Sequence, residues 1–118
     1  DKILIKQPSL ENITHQVSDS REGWVKSIEL LLNSYFTGSF LPSFDYSLIR
    51  KKGERIKSFG GIAPGPDPLI LLHNELINLY NSYINKKIDS ALIVDTCNLI
   101  GKCIVSGNIR RNRHRKSL

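Results

Sequence analysis

Charged residues beside predicted turns and helix ends are the first candidates for chemistry in this 118-residue sequence. Arg50, Lys51 and Lys52 stand together before Gly53, and such a cluster of cations could bind phosphate. A solvated turn is the alternative, and the three cations taken alone favour it. Asp19 precedes a predicted helix, where a carboxylate can cap the helix or accept a hydrogen bond from a ribose hydroxyl. The position favours the cap, although the two roles are compatible.

Other patterns that could support chemistry are weak. The glycine-rich segment GGIAPGP, residues 60–66, lacks both the Gly-Lys-Ser/Thr ending of a phosphate loop and the spacing of a dinucleotide loop. Cys97 and Cys103 lie on different faces of a predicted helix, which disfavours a disulfide within it and favours small core residues. The three histidines form no pattern; they are His15, His73 and His114. No general acid–base pair or metal-ligand set is visible in the sequence.

Composition predicts one soluble domain. Hydrophobic residues make up 40% and charged residues 24% of the chain, as in ordinary globular proteins. The sequence has no apolar run long enough for a membrane span and no signal-peptide pattern, and two thiols fit a reducing compartment. We therefore expect a cytoplasmic protein without a membrane partner. The net charge of +6 comes mostly from the five cations within residues 110–116.

The periodicity predicts a mixed α/β chain without a complete sheet. We expect an entry strand at residues 3–5, a helix over about 20–35 with Asp19 as N-cap, and a strand at 44–50. A short return strand at 55–59 would lead into a rigid Gly/Pro loop at 60–68.

Two helices are expected to follow that loop. The first would begin at Asp67-Pro68, with Asp67 as N-cap, and run to about residue 84. The second would begin near Ser90 and end at Ser106-Gly107-Asn108, where Gly107 supplies a left-handed stop.

Three motifs taken together resemble one enzyme family. They are SDSREGW (18–24), FDYSLIRKKGERIKSFGGIAPGPDPL (44–69) and DTCNLIGKCIVSGNIRR (95–111). In content and order they resemble the catalytic barrel of ribonucleotide reductases, and most of all the adenosylcobalamin-dependent ribonucleoside-triphosphate reductases. The resemblance implies that residues 1–111 are a segment of a ten-stranded α/β barrel that carries the allosteric specificity region. Residues 112–118 would be a basic tail outside the family pattern.

The resemblance also implies a binding site for a deoxynucleoside triphosphate effector. Asp19 would contact the effector's sugar, and Arg50, with Lys51 and Lys52 alongside, would contact its phosphates. A second specificity loop would lie between the effector and the substrate base. That loop would contain Ser106, Gly107, Asn108, Arg110 and Arg111.

In the family so resembled, the reaction converts ribonucleotides to 2′-deoxyribonucleotides by radical chemistry. The resemblance implies a ribonucleoside triphosphate substrate, adenosylcobalamin as cofactor and a thioredoxin-like dithiol as reductant. A diphosphate reductase with another radical source is the alternative within the family. The radical cysteine lies downstream of this segment and one cysteine of the reducing pair lies upstream, so neither Cys97 nor Cys103 takes a catalytic role. No cobalamin-binding residue is identifiable.

The basic segment 112–118 leaves a second class of function open. A frameshift in an A/T-rich gene, a true phosphate-binding tail and a plain solvated tail are the three interpretations. A small basic nucleic-acid-binding domain is thus the alternative to a reductase segment. Nucleic acid is the weaker choice of partner, because no aromatic stacking residues are interleaved with the charges. The absence of methionine, including an initiator, leads us to expect a fragment.

The resemblance predicts that this chain alone reduces nothing, because the radical cysteine of the family lies outside it. Purified chain supplied with adenosylcobalamin, a dithiol and a ribonucleoside triphosphate should yield no deoxynucleotide by chromatography. Deoxynucleotide formed in proportion to the chain's concentration would contradict this prediction.

Overall fold

The structure, a computed structural model, describes residues 4–51, 55–56, 61–62 and 65–112, with the backbone alone for 55–56, 61–62 and 106–112. The described part contains three helices and four short strands. In chain order these are β1 (Thr14–Gln16), α1 (Arg21–Thr37), β2 (Ser43–Asp45), β3 (Arg55–Ile56), β4 (Gly61–Ile62), α2 (Asp67–Asn81) and α3 (Ser90–Asn112).

Helix α1 begins one residue later than the sequence predicts. Ser20, not Asp19, is its N-cap: the Ser20 backbone is extended and its Oγ accepts a hydrogen bond from the Gly23 amide at 3.0 Å. The prediction of Asp19 as N-cap was therefore wrong, because the adjacent serine takes that position and leaves the carboxylate available to another partner. Gly38 ends the helix with a φ of 80°, a left-handed conformation that glycine adopts without strain.

Strands β1 and β2 are parallel neighbours joined by α1. Thr14 pairs with Ser43 and Gln16 with Asp45, and the Val17 amide extends the ladder to the Asp45 carbonyl at 3.0 Å. The predicted strand at 44–50 is much shorter than expected, because the chain turns after Asp45. The entry strand predicted at 3–5 does not form in the two of its residues that the structure describes: Leu4 and Ile5 make only isolated bridges.

A second, antiparallel pair joins β3 to β4. Arg55 pairs with Ile62 and Ile56 with Gly61. The return strand predicted at 55–59 thus exists in its first two residues, but its partner lies within the segment predicted to be a rigid loop. The prediction of a loop throughout 60–68 was therefore wrong at Gly61 and Ile62, since a two-residue ladder tolerates a glycine at its end.

Helices α2 and α3 occur where the sequence predicts them, with different ends. Asp67 is the first residue of α2 rather than its N-cap, which is Pro66, and the helix stops at Asn81. Helix α3 begins at Ser90 as predicted but continues to Asn112. The predicted end at 106–108 was therefore wrong. A single glycine inside a helix costs about 1 kcal/mol, which is too little to stop a helix by itself.

The core lies where α2 packs against both other helices. Helix α2 contributes more of it than any other element, through one stripe of side chains: Leu69, Leu72, Leu76 and Tyr80. Leu31 and Tyr35 face them from α1, while Leu92 and Cys103 face them from α3. Cys103 is thus the small core residue that the sequence predicts, and burial raises the pKa of its thiol, whereas Cys97 is exposed. Within the described ranges, no helix combines the length and apolar character that crossing a membrane requires.

Two glycines in helices predict opposite effects of one substitution. A Cβ at Gly23 would overlap the Ser18 side chain and carbonyl, whereas a Cβ at Gly101 in α3 would meet nothing within 4 Å. Gly23→Ala should lower the free energy of unfolding by about 1–3 kcal/mol through overpacking. Gly101→Ala should raise it by roughly 0.5–1 kcal/mol, because alanine restricts the unfolded chain. Urea denaturation of both variants checks this pair, and equal effects would contradict it.

Candidate functional site

The parallel pairing of β1 and β2 gathers charged residues at one edge. Both strands end on the same side, since parallel strands have their carboxyl ends together. Asp19 follows β1, Arg50 follows β2, and α1 begins at Arg21, two residues after Asp19. We call this group the carboxyl edge: Asp19, Arg50 and the first turn of α1, residues 21–24.

An ion pair joins the two sides of the carboxyl edge. Arg50 Nε donates to Asp19 Oδ2 at 2.9 Å, and the two side chains are 33% and 29% exposed. Such half-exposed pairs contribute about 0–1 kcal/mol to stability. Within the part of the chain that the structure describes, the Nη groups of Arg50 have no hydrogen-bond partner. The pair therefore serves mainly to orient the guanidinium, whose remaining donors could bind an anion.

The first turn of α1 has a fixed geometry. Ser20 Oγ accepts from the Gly23 amide and lies 3.1 Å from Ser18 Oγ. The amino end of a helix carries a partial positive charge that favours anions nearby, although Glu22 in the first turn opposes it. The carboxyl edge thus combines a cation, a helix terminus and a carboxylate acceptor. This set can bind a phosphorylated sugar, but it contains no nucleophile and base for covalent chemistry.

The structure brings together two of the residues predicted to bind an effector, Asp19 and Arg50. Lys51 follows Arg50 directly and is exposed, while Lys52 lies outside the described residues. The predicted second loop lies in the last part of α3, and its side chains are also outside the described set: Ser106, Gly107, Asn108, Arg110 and Arg111. Their roles stay predictions.

Sequence reasoning missed a buried histidine that links three elements. His73 of α2 is 1% exposed, with Nε2 2.8 Å from Ser27 Oγ on α1 and Nδ1 2.6 Å from Tyr46 Oη beyond β2. Ser27 Oγ donates its proton to the Trp24 carbonyl at 2.7 Å, so it accepts from His73 Nε2–H. Nδ1 then accepts from the Tyr46 hydroxyl. Both ring nitrogens are satisfied by a neutral imidazole.

The surroundings of His73 keep it neutral. Phe44 stacks on the imidazole at a centroid distance of 4.3 Å. Burial, together with a smaller contribution from the nearby His15, lowers the pKa of His73 from 6.5 to about 4. Burial likewise raises the pKa of Tyr46 to about 12. The sequence does carry a signal for this burial, since His73 lies on the apolar stripe of α2.

The described residues do not fit a cobalamin or metal site. They contain no group of three or more His, Cys, Asp or Glu side chains able to hold a metal ion. His73 has no free nitrogen to offer as a ligand. The groove between α2 and α3, which includes Leu71 and Lys102, has a volume of about 220 Å³ even with its open side. Pockets for drug-sized ligands run about 300–1,000 Å³, and a corrin is larger still.

Comparison with known proteins identifies the family. Residues 1–80 match the model of the B12-dependent ribonucleotide reductase insertion domain. The chain therefore belongs to the B12-dependent ribonucleotide reductases, which confirms the family expected from its motifs. The matched model describes an insertion domain, so the assignment of residues 1–111 to the catalytic barrel stays a prediction.

Individual relatives agree with this assignment. The chain is 60% identical over 95 residues to a probable adenosylcobalamin-dependent ribonucleoside-triphosphate reductase of Dictyostelium discoideum, covering 80% of this chain and 12% of that protein. It is 45% identical over 96 residues to the adenosylcobalamin-dependent ribonucleoside-triphosphate reductase of Euglena gracilis, covering 81% and 13%. The chain thus spans about an eighth of the length of these two relatives.

A solved structure supports the fold. The chain superimposes on a B12-dependent, class II ribonucleotide reductase with a TM-score of 0.70 and 34% identity, covering 80% of this chain and 14% of the other. The expected mixed helix and strand fold is confirmed as a segment that matches this enzyme structure.

Protonation of His73 should destabilise the chain in mild acid. Its folded pKa of about 4 lies below the unfolded value of 6.5, so the unfolded chain binds more protons between these values. Neutral His73 makes its full contribution to stability above pH 6.5. As the pH falls towards 4, the free energy of unfolding decreases by roughly 3 kcal/mol in total. Urea denaturation across this range measures the loss.

The His73→Gln variant isolates this contribution. Asp45 also titrates in acid, since hydrogen bonds from the Ser47 amide and side chain lower its pKa, but the variant retains Asp45. His73→Gln should show a flatter pH dependence than the unmodified chain. The same pH dependence in both proteins would contradict a neutral buried His73.

Proposed function

We propose that the chain is part of a ribonucleoside-triphosphate reductase and that its carboxyl edge binds a deoxynucleoside triphosphate effector. The parent enzyme would reduce the ribose 2′-hydroxyl, with adenosylcobalamin as cofactor and a thioredoxin-like dithiol as reductant. The printed names of the relatives support the reaction and the cofactor. Since the described residues do not fit cobalamin, the cofactor would be held by other parts of that enzyme.

The orientation of Arg50 by Asp19 is the observation that carries the effector site. A triphosphate needs several cations and N–H donors, and Arg50, Lys51 and the amino end of α1 can supply them. Asp19 Oδ2 is held by Arg50, which leaves Oδ1 to accept a hydrogen bond from a sugar hydroxyl. One edge thus offers separate groups to the phosphates and to the sugar of the same nucleotide.

The segment from Ser106 to Arg111 would couple effector and substrate. Its backbone is helical, at the end of α3. A segment that reads one base and reports to another site must pack differently with each effector, because coupling requires unequal affinities in at least two arrangements. Loss of the last helical turns, beginning near Gly107, is a conformational change that could supply this difference.

A nucleic-acid-binding domain is the rival function, and no contact in the described residues favours it. The two proposals differ in their dependence on salt. Binding to a duplex through phosphates should weaken steeply for every sequence as salt rises. An effector site should instead prefer free deoxynucleoside triphosphates over duplex and over inorganic tripolyphosphate, which lacks a sugar.

The Arg50→Gln variant tests the proposed site. Removal of a charge-assisted hydrogen bond costs about 1.5–3 kcal/mol, so affinity for a deoxynucleoside triphosphate should fall roughly tenfold to a hundredfold. Isothermal titration calorimetry of the full chain measures it. Lys87→Gln is the control with the same loss of charge, because Lys87 is exposed in the connection between α2 and α3. Equal affinities in the two variants would contradict the proposal.

A further inference from the structure

His73 lies between the two elements that carry the ion pair of the carboxyl edge. One ring nitrogen is bonded to α1, the helix that begins beside Asp19, and the other is bonded to the segment that ends at Arg50. These contacts connect the buried imidazole to both sides of the half-exposed Asp19–Arg50 pair.

The connection from His73 to Arg50 is short. Tyr46 donates to His73 Nδ1, and its own carbonyl accepts from the Ile49 amide at 3.0 Å, which closes one turn of chain. Ile49 is 6% exposed and belongs to the core, and Arg50 is the next residue. One closed turn of chain therefore separates Tyr46, whose hydroxyl is bonded to His73, from the Arg50 guanidinium at the carboxyl edge.

The connection from His73 to Asp19 runs through α1. Ser27 lies in the second turn of that helix, is fully buried, and accepts from His73 Nε2. The strands connect His73 to Asp19 by a second route. The Val17 amide, two residues before Asp19, donates to the carbonyl of Asp45. Asp45 lies between Phe44 and Tyr46, which both contact His73. Both members of the ion pair are thus connected through hydrogen bonds and short chain segments to the same imidazole.

We propose that His73 is a positioning residue, which holds Arg50 against Asp19 through the Tyr46 hydroxyl and thereby sets the affinity of the carboxyl edge for its anion. The contribution to nucleotide affinity rests on the proposed function above. The contribution to the orientation of Arg50 does not, and it can be measured without a nucleotide.

The test follows the Nε–H of Arg50 by nuclear magnetic resonance in the full, nucleotide-free chain. Its signal is assigned by its loss in Arg50→Gln. In Tyr46→Phe, which removes the hydroxyl but keeps the ring, exchange of this proton with solvent should become about tenfold faster as the segment opens locally. Unchanged exchange in this variant would overturn the proposal.

Tyr80→Phe is the matched control. It removes a tyrosine hydroxyl that lies 2.9 Å from Thr96 Oγ1, in a buried contact between α2 and α3. It should leave the exchange of the Arg50 proton unchanged, and equal acceleration in both variants would overturn the proposal as a general loosening of the core. Should Tyr46→Phe fail to fold, Ser27→Ala breaks the other bond of the imidazole and is judged by the same readout.

A double-mutant cycle separates this proposal from the effector site. Tyr46→Phe should weaken binding of a deoxynucleoside triphosphate roughly threefold to tenfold, and it should have no effect in the Arg50→Gln background. An equal further loss in that background would contradict action through Arg50. If neither variant changes nucleotide affinity while proton exchange is still accelerated, the positioning of Arg50 stands and the proposed effector site fails.

Discussion

The two hydrogen bonds of the His73 ring tie α2 both to α1 and to the segment that follows β2. A buried polar group that loses a partner costs about 1–3 kcal/mol, so both nitrogens must find one. They find Ser27 on α1 and Tyr46 beyond β2, at 2.8 and 2.6 Å. Helices α1 and α2 and the segment after β2 are thereby held together by directional bonds in addition to apolar packing.

This arrangement places a neutral, fully satisfied network beneath a charged, half-exposed one. The inner network has little to gain from a ligand, since its groups are buried and paired. The outer pair of Asp19 and Arg50 contributes little to stability, but it holds donors and an acceptor at the surface. The groups of the outer pair can therefore change partners without any loss of hydrogen bonds in the buried network.

The sequence predicted the helices better than the strands. Apolar periodicity located α1, α2 and α3, because a long helix repeats its signal over several turns. Their ends were less certain: Ser20 rather than Asp19 caps α1, and α3 continues through Gly107. The strands are two or three residues long, and pairs so short depend on tertiary contacts that local propensity does not encode.

The sequence named members of the proposed site but not their geometry. The motifs indicated Asp19 and Arg50, yet no spacing rule states that residues 31 apart in sequence form an ion pair. That contact depends on the parallel pairing of β1 and β2. His73 was missed because isolated histidines in a sequence form no pattern, and its importance comes from partners on two other elements.

We propose the carboxyl edge as the nucleotide-binding site of this member of the B12-dependent ribonucleotide reductases. Amide chemical-shift mapping during titration of the full, isotope-labelled chain with a deoxynucleoside triphosphate tests it most directly. We expect saturable shifts concentrated at residues 19–24 and 49–51. Shifts that are confined to the basic segment 110–116 and abolished by moderate salt would contradict binding at the carboxyl edge and favour non-specific binding of phosphate.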